Sequence, residues 1–332
     1  MRLGTVVLWG DDIADFRRQV RLAEDLGYEV IGVGDSPAAW HDMYVSLTVA
    51  AQETRTATLA TMVTTPFLRH PAVTAGAASA LHELTGGRFL LTMGVGGSAL
   101  ASLGRSKAKV AEVGDYMGAL RELLNGGRAE VDGFTTAPLR RARALPLYLA
   151  ADGPRTLRLA GELADGVVIG VGLSLDLVAQ KIDVVRAAAR DAGRDPDAID
   201  FWGMGFASVR ESRAEADHDI SAFLASVGGM GLKAPHMRAI IPPELLGAVM
   251  ELERRYDPTK HVVVGSAQAR MVEELGLTDF LVGLRGVTGN PQEVRAYTDE
   301  LAKLGVSCLL APMPGNVDPE GMLARVSAAL RD

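Results

Sequence analysis

The run Thr61-Met62-Val63-Thr64-Thr65-Pro66-Phe67-Leu68-Arg69-His70-Pro71, followed by Met93-Gly94-Val95-Gly96-Gly97-Ser98, decides the fold of this chain. Each run follows a short apolar stretch of strand character, and a helical stretch separates them. Strand, helix, strand is the repeating unit of a parallel sheet. In such sheets ligands meet the chain past the carboxyl ends of the strands, where side chains and free N–H groups face an open crevice. Both runs place hydroxyl-bearing or bare-backbone residues there. A planar, phosphorylated ligand suits such turns, because glycine lets backbone approach a flat ring and amides at a helix start suit a phosphate.

The same rhythm extends outward. Residues 3–8 read as a buried strand, and Asp11 or Asp12 as the cap of a helix carrying Phe16, Val20, Ala23 and Leu26 at helical spacing, stopped by Gly27. Residues 30–33 are a second strand, ending at Gly34-Asp35-Ser36-Pro37. Helices at 43–53 and 71–84 lead to strands at 58–62 and 88–93. Residues 105–125 read as helix, and 126–145 as a polar connector. Strands return at 147–150, 166–169, 200–209 and 306–311, with helices at 155–163, 176–192, 291–304 and 319–330. Residues 211–277 read as helical stretches broken by Ser226-Val227-Gly228-Gly229-Met230-Gly231 and Pro242-Pro243. Eight βα units predict an α/β fold of the TIM (β/α)8 barrel class with insertion segments. No linker or low-complexity stretch divides the chain, so residues 1–332 are expected to form a single domain.

The bulk properties fit. Hydrophobic residues make up 48% and aromatics 5%, which implies a core of Ala, Val and Leu, and the net charge of −7 argues against nucleic-acid binding. The one cysteine, Cys308, lies in an apolar run and reads as a buried thiol, which excludes disulfides. No leader-like segment opens the chain and no apolar run reaches membrane-spanning length, so a soluble cytoplasmic protein is expected.

Gly94-Val95-Gly96-Gly97-Ser98-Ala99 partly matches a dinucleotide fingerprint. Helical pattern starts only near residue 105, so the stretch reads as a glycine-lined turn beside a flat ligand, with a tight structural turn as the alternative. Ala150-Ala151-Asp152-Gly153-Pro154 opens a helix whose free N–H groups suit a phosphate, or which Asp152 simply caps. Arg69 and His70 read as loop-closing residues. His82, His218 and His261 have no acidic or cysteine partners at ligand spacing, so no metal is expected. Trp9 and Trp40, both past strand ends, could wall an aromatic pocket.

Taken together, Val33-Gly34-Asp35, Tyr44-Val45-Ser46-Leu47-Thr48, Val63-Thr64-Thr65-Pro66 with Arg69-His70-Pro71, Glu83-Leu84-Thr85-Gly86-Gly87-Arg88-Phe89, and the glycine run from Gly94 resemble the bacterial luciferase-like flavin or deazaflavin oxidoreductases. Within them the likeness is to the coenzyme F420-dependent branch that includes methylenetetrahydromethanopterin reductase. It continues through residues 146–154, 159–167, 289–294 and 304–306, and is lost over about 210–277.

The resemblance implies a luciferase-like TIM barrel, a homodimer, a small-molecule substrate and coenzyme F420, with FMN as the alternative coenzyme. It implies a cis Met62–Val63 peptide that, with Thr61, forms a bulge supporting one face of the ring. It further implies that Asp35 reaches the ring's hydroxyl edge, that Gly94, Gly96 and Gly97 flank the ring, and that Ala150, Ala151 and Gly153 bind the phosphate. The implied reaction is hydride transfer between the deazaflavin and an organic substrate. An FMN-dependent monooxygenase and a flavin-binding protein without catalysis are the alternatives. The branch's acid–base residues do not carry over: Ser36 stands where a histidine is expected, and Val6 and Gly97 where acids are expected. Catalytic residues therefore stay unassigned. The basic residues of 100–143, among them Arg105, Lys107 and Lys109, are expected to meet the anionic coenzyme tail, and residues 226–243 to shape the substrate pocket.

Overall fold

The computed structural model describes every residue except 258, 259, 261, 262, 264, 313–317 and 332. Eight parallel strands close into a barrel: β1 (Arg2–Val6), β2 (Val30–Val33), β3 (Thr58–Thr61), β4 (Phe89–Met93), β5 (Leu147–Ala150), β6 (Gly166–Ile169), β7 (Asp200–Met204) and β8 (Val306–Leu310). Each pairs with the next, and β8 closes on β1 with Arg2 opposite Cys308 and Gly4 opposite Leu310. The chain is a TIM barrel, as its strand count predicts.

The strands are apolar on both faces because both are covered. Leu3 and Ile31 pack outward against helices, whereas Val6, Val30, Leu90, Val168, Trp202 and Cys308 fill the barrel interior. The surrounding helices are α1 (Ile13–Asp25), α2 (Met43–Glu53), α3 (Pro71–Leu84), the short α4 (Ser98–Ala101), α5 (Val110–Leu124), α6 (Pro154–Leu163) and α7 (Leu175–Asp191). Asp12 caps α1 by accepting from the Ala14 N–H at 2.8 Å, and the helix buries Phe16, Val20 and Ala23. His70 caps α3 through Nδ1, which accepts from the Ala72 N–H at 3.2 Å, with Pro71 in the first turn.

The floor of the barrel is closed by Asp200. Its carboxylate accepts from Arg2 at 2.7 Å, Tyr148 at 2.7 Å, Trp202 Nε1 at 2.8 Å and the Ser307 hydroxyl. This is the end away from ligands, where such a network serves stability.

Residues 200–209 do not form one strand. The chain turns out of the barrel at Gly205, and Phe206–Val209 pairs in parallel with Gly286–Gly289. Between them lie α8 (Arg213–Asp219), α9 (Ser221–Met230), α10 (Pro235–Arg238), α11 (Leu246–Arg255), α12 (Ala267–Glu274) and α13 (Thr278–Arg285). They gather around a second apolar cluster that includes Leu224, Val249, Leu252, Val272 and Leu281. The helices α14 (Pro291–Lys303) and α15 (Pro319–Arg331) flank β8. Two further differences from the sequence reading are local. A small hairpin, Glu130–Val131 with Phe134–Thr135, sits in the polar connector, and a helical turn already begins at Ser98. Among the described residues no helix is long and apolar enough to cross a membrane.

Candidate active site

The carboxyl ends of the strands form one rim, and the expected site residues stand on the β2–β5 part of it. Asp35 follows β2 and is 4% exposed. Its Oδ2 accepts from the Thr64 hydroxyl at 2.7 Å and from Arg69 Nη1 at 2.6 Å. Arg69 Nη2 reaches Asp42 Oδ2 at 2.7 Å, and the guanidinium lies 4.9 Å from the Tyr44 ring centre. The Tyr116 hydroxyl donates to the Arg69 carbonyl at 2.8 Å and shares a hydrogen bond with Thr74 at 2.7 Å. Burial alone would lower the Arg69 pKa, but its bonds to Asp35 and Asp42 outweigh that and raise it. Asp35 thus enters the site as half of an ion pair, not as a free carboxylate. Arg69, read from sequence as a loop-closing residue, is the hub that holds it.

Past β3 the Met62–Val63 peptide is cis, as the resemblance implies. The Thr61 hydroxyl donates to the Thr92 carbonyl and accepts from its N–H, both at 2.7 Å, so it is committed to the β3–β4 seam. Met62 is 8% exposed and belongs to the barrel interior. Across the rim, a Cβ on Gly94 would stand 2.9 Å from Val63 Cγ2 and 3.8 Å from Ala150 Cβ. Gly94 therefore brings its backbone against the Val63 bulge, which no other residue could do without displacing it. Gly96 has φ +72°, and a Cβ there would stand 2.6 Å from Thr65 Oγ1, whereas Gly97 faces open space. The Thr65 and Thr92 hydroxyls are buried without a hydrogen-bond partner.

On β5 the expected phosphate residues divide. The Ala151 N–H is bonded to the Val168 carbonyl at 3.0 Å and is spent within the sheet. Gly153 is the N-cap of α6 and supplies no side-chain cap. Asp152 does not cap this helix. Its Oδ1 accepts from the Gly170 N–H at 3.0 Å, the Val171 N–H at 2.9 Å and Lys181 Nζ at 3.0 Å, tying the turn after β5 to the turn after β6. His236, from α10, leans on Gly153, with its Cε1 3.0 Å from where a Cβ would stand. Burial lowers the His236 pKa, Lys181 and Lys107 act in the same direction, and Asp152 opposes them.

Of the basic residues of 100–143, Arg105 lies 4.2 Å from the Phe67 ring centre, Lys107 acts on His236 beside the Gly153 turn, Arg121 pairs with Asp165 at 2.8 Å, and Arg143 pairs with Glu83 at 2.7 Å. Trp9 stacks on Phe16 with ring centres 5.8 Å apart and tilts against His41. Met237, expected in a substrate pocket, is buried in the second apolar cluster. Val6 is interior and Gly97 has no side chain, so neither expected acid position carries an acid. Among the described residues no cluster of His, Cys, Asp and Glu could hold a metal ion; His261 lies outside them.

A family model described as luciferase-like monooxygenase matches residues 1–308. The 5,10-methylenetetrahydromethanopterin reductase of Methanolobus tindarius is 29% identical over 328 residues, covering 95% of this chain and 94% of that protein. The F420-dependent glucose-6-phosphate dehydrogenase of Intrasporangium calvum is 26% identical over 313 residues, covering 80% and 93%. The solved coenzyme F420-dependent tetrahydromethanopterin reductase of Methanopyrus kandleri superposes with a TM-score of 0.79 at 22% identity, over 99% of this chain and 98% of that one, and shares the fold. With a matched model spanning the barrel and its rim, the chain belongs to the luciferase-like monooxygenase family.

Proposed function

We propose that this protein is an F420-dependent oxidoreductase acting on an organic substrate held at the barrel mouth. The observation that carries the reading is one stretch of rim: bare Gly94 backbone against Val63, the orphaned Thr65 hydroxyl beside Gly96, and an uncapped helix start at Gly153. A flat ring with a hydrogen-bonding edge fits the first two, and a phosphate fits the third. A relative named as F420-dependent and matched over 80% of this chain supports the choice of coenzyme.

When bound, F420 supplies or accepts a hydride. The chain's residues bind and orient. Val63 and Gly94 to Gly97 would wall the ring, and the Asp35–Arg69 pair would fix its polar edge in one orientation. The α6 N-terminus would hold the phosphate through its dipole and free amides. Met62 and the interior cluster beneath would exclude water from the buried face.

Titration with F420 and with FMN, read by absorbance and fluorescence, tests this reading. Tight saturable binding of F420 with weak binding of FMN is expected, followed by substrate-dependent bleaching of the coenzyme in a carbonyl and alcohol panel. Tight FMN binding with oxygen uptake would instead establish a monooxygenase, and binding of either without turnover a non-catalytic flavin protein.

A further inference from the structure

His236 stands at the proposed phosphate turn but comes from the helical insertion, where the sequence resemblance is lost. Its imidazole turns one corner to Gly153: Cε1 lies 3.0 Å, Nε2 3.3 Å and Nδ1 3.6 Å from where a Cβ would stand. The two nitrogens flank that corner, and among the described residues neither has a hydrogen-bond partner. A side chain at Gly153 would push the ring away, so the bare turn is what admits it. Gly153 opens α6, which has Pro154 in its first turn and no side-chain cap. Charge reaches this turn from several segments. Asp152 and Lys181 pair at 3.0 Å and largely cancel. Lys107, between α4 and α5, is near enough to act on the imidazole. Arg238, two residues beyond His236, is committed to Glu253 at 2.8 Å. Partial burial holds the His236 pKa below its ordinary value, against the pull of Asp152 and with the push of Lys181 and Lys107. The imidazole is therefore neutral at pH 7 in the free protein, beside a lysine and a helix start that both disfavour a further positive charge. An anion seated at that helix start reverses the balance and favours the imidazolium.

We propose that His236 is a ligand of the coenzyme phosphate and takes up a proton as the phosphate seats, so that coenzyme affinity follows pH. This rests on the reading of the Gly153 turn as the phosphate site. A neutral imidazole offers the phosphate one N–H; an imidazolium offers a charge-assisted donor. The sign follows from linkage. The free protein binds the proton less tightly than the complex, so affinity is highest below the free-state pKa of His236. It falls as pH rises from that value to the higher one of the complex, and is flat above. The insertion thereby acts on coenzyme retention: acid holds the coenzyme and alkali loosens it.

The test is fluorescence titration of wild type and His236→Gln with F420 at about pH 5.5 and about pH 8, the two sides of the histidine range. Calorimetry near pH 6.5, in two buffers of different ionisation heat, counts the protons taken up on binding. Glutamine keeps a donor but cannot be protonated. The Kd of His236→Gln should exceed that of wild type by about tenfold at the acid pH, the scale of one charge-assisted contact, and lie within about twofold of it at the alkaline pH. Taking the ratio at each pH removes the titration of the coenzyme's own groups, which both proteins meet alike. Wild type should also take up more protons on binding than His236→Gln. The same Kd ratio at both pH values would show that His236 only packs against the turn and would overturn the proposal, as would equal proton uptake. Wild type that binds FMN and not F420, with the same His236-dependent response to pH, would refute the proposed coenzyme and leave the phosphate ligand standing. Binding of neither would overturn both.

Discussion

The Arg69 guanidinium spans two carboxylates, Asp35 at 2.6 Å and Asp42 at 2.7 Å, and of the two only Asp35 is buried, its side chain 2% exposed against 48%. The pair lies at the edge of the proposed ring site, so its integrity bears on folding as well as binding. Arg69→Met should leave Asp35 buried with only the Thr64 hydroxyl for support and cost about 3 kcal/mol, the scale for breaking one side of a buried pair. Asp35→Asn combined with Arg69→Met removes the orphaned charge and should recover most of that loss. Urea unfolding of the two single variants and the double variant measures the coupling; additive losses would show that the two residues do not act as a pair.

Neighbouring glycines should respond in opposite ways. Gly96→Ala imposes a left-handed backbone on alanine and drives its Cβ towards Thr65 Oγ1, and should cost about 1–2 kcal/mol. Gly97→Ala enters open space and should stay within about 0.5 kcal/mol of wild type. Equal urea midpoints for both variants would contradict this account of the turn.

The floor network predicts an acid-dependent loss of stability. Burial alone would raise the Asp200 pKa, but hydrogen bonds from Ser307, Tyr148 and Trp202 and the Arg2 charge hold it below its ordinary value. A depressed folded pKa contributes stability above the unfolded value of about 3.9, and loses it as pH falls through the folded value. Asp200→Asn should cost about 2 kcal/mol at neutral pH, the scale of a hydrogen bond to a charged group. The gap to wild type should narrow as pH drops below about 4. A gap that is constant from pH 7 to pH 3 would argue against the ionised network.

Cys308 should be inert in the native protein. It is 0% exposed in the barrel interior, and burial pushes its thiol pKa up to about 12. The thiolate is the reactive form, so iodoacetamide should modify Cys308 only after denaturation, as read by intact-mass measurement. Full labelling under native conditions would place it somewhere other than the interior.

The barrel was legible because each of its eight strands carries a local apolar signal, and some of the helices behind them carry side-chain caps, as at Asp12 and His70. The rim glycines were legible too, since a turn after a strand needs bare backbone at known offsets. Arg69 was legible only as loop chemistry: its partners lie 34 and 27 residues away, and no periodicity encodes such a pairing. The break at Gly205 was missed because strand character runs through to Val209. That half-strand chooses the Gly286–Gly289 edge over the barrel, a choice made by packing and not by propensity.

By itself, then, the chain's order of apolar strands, caps and glycines determined a closed parallel barrel and the end at which ligands meet it, because those signals act over a few residues. Only the tertiary structure decided which polar groups there are already satisfied. Asp35 and Asp152 look alike as acids in strand-end turns, yet one is neutralised by Arg69 and the other by Lys181 and two amides. Arg285, unremarkable in sequence, shares the Asp152 charge with Lys181. The physical reason is that charge compensation in a low-dielectric interior depends on distances between residues far apart in the chain, and folding alone sets those distances.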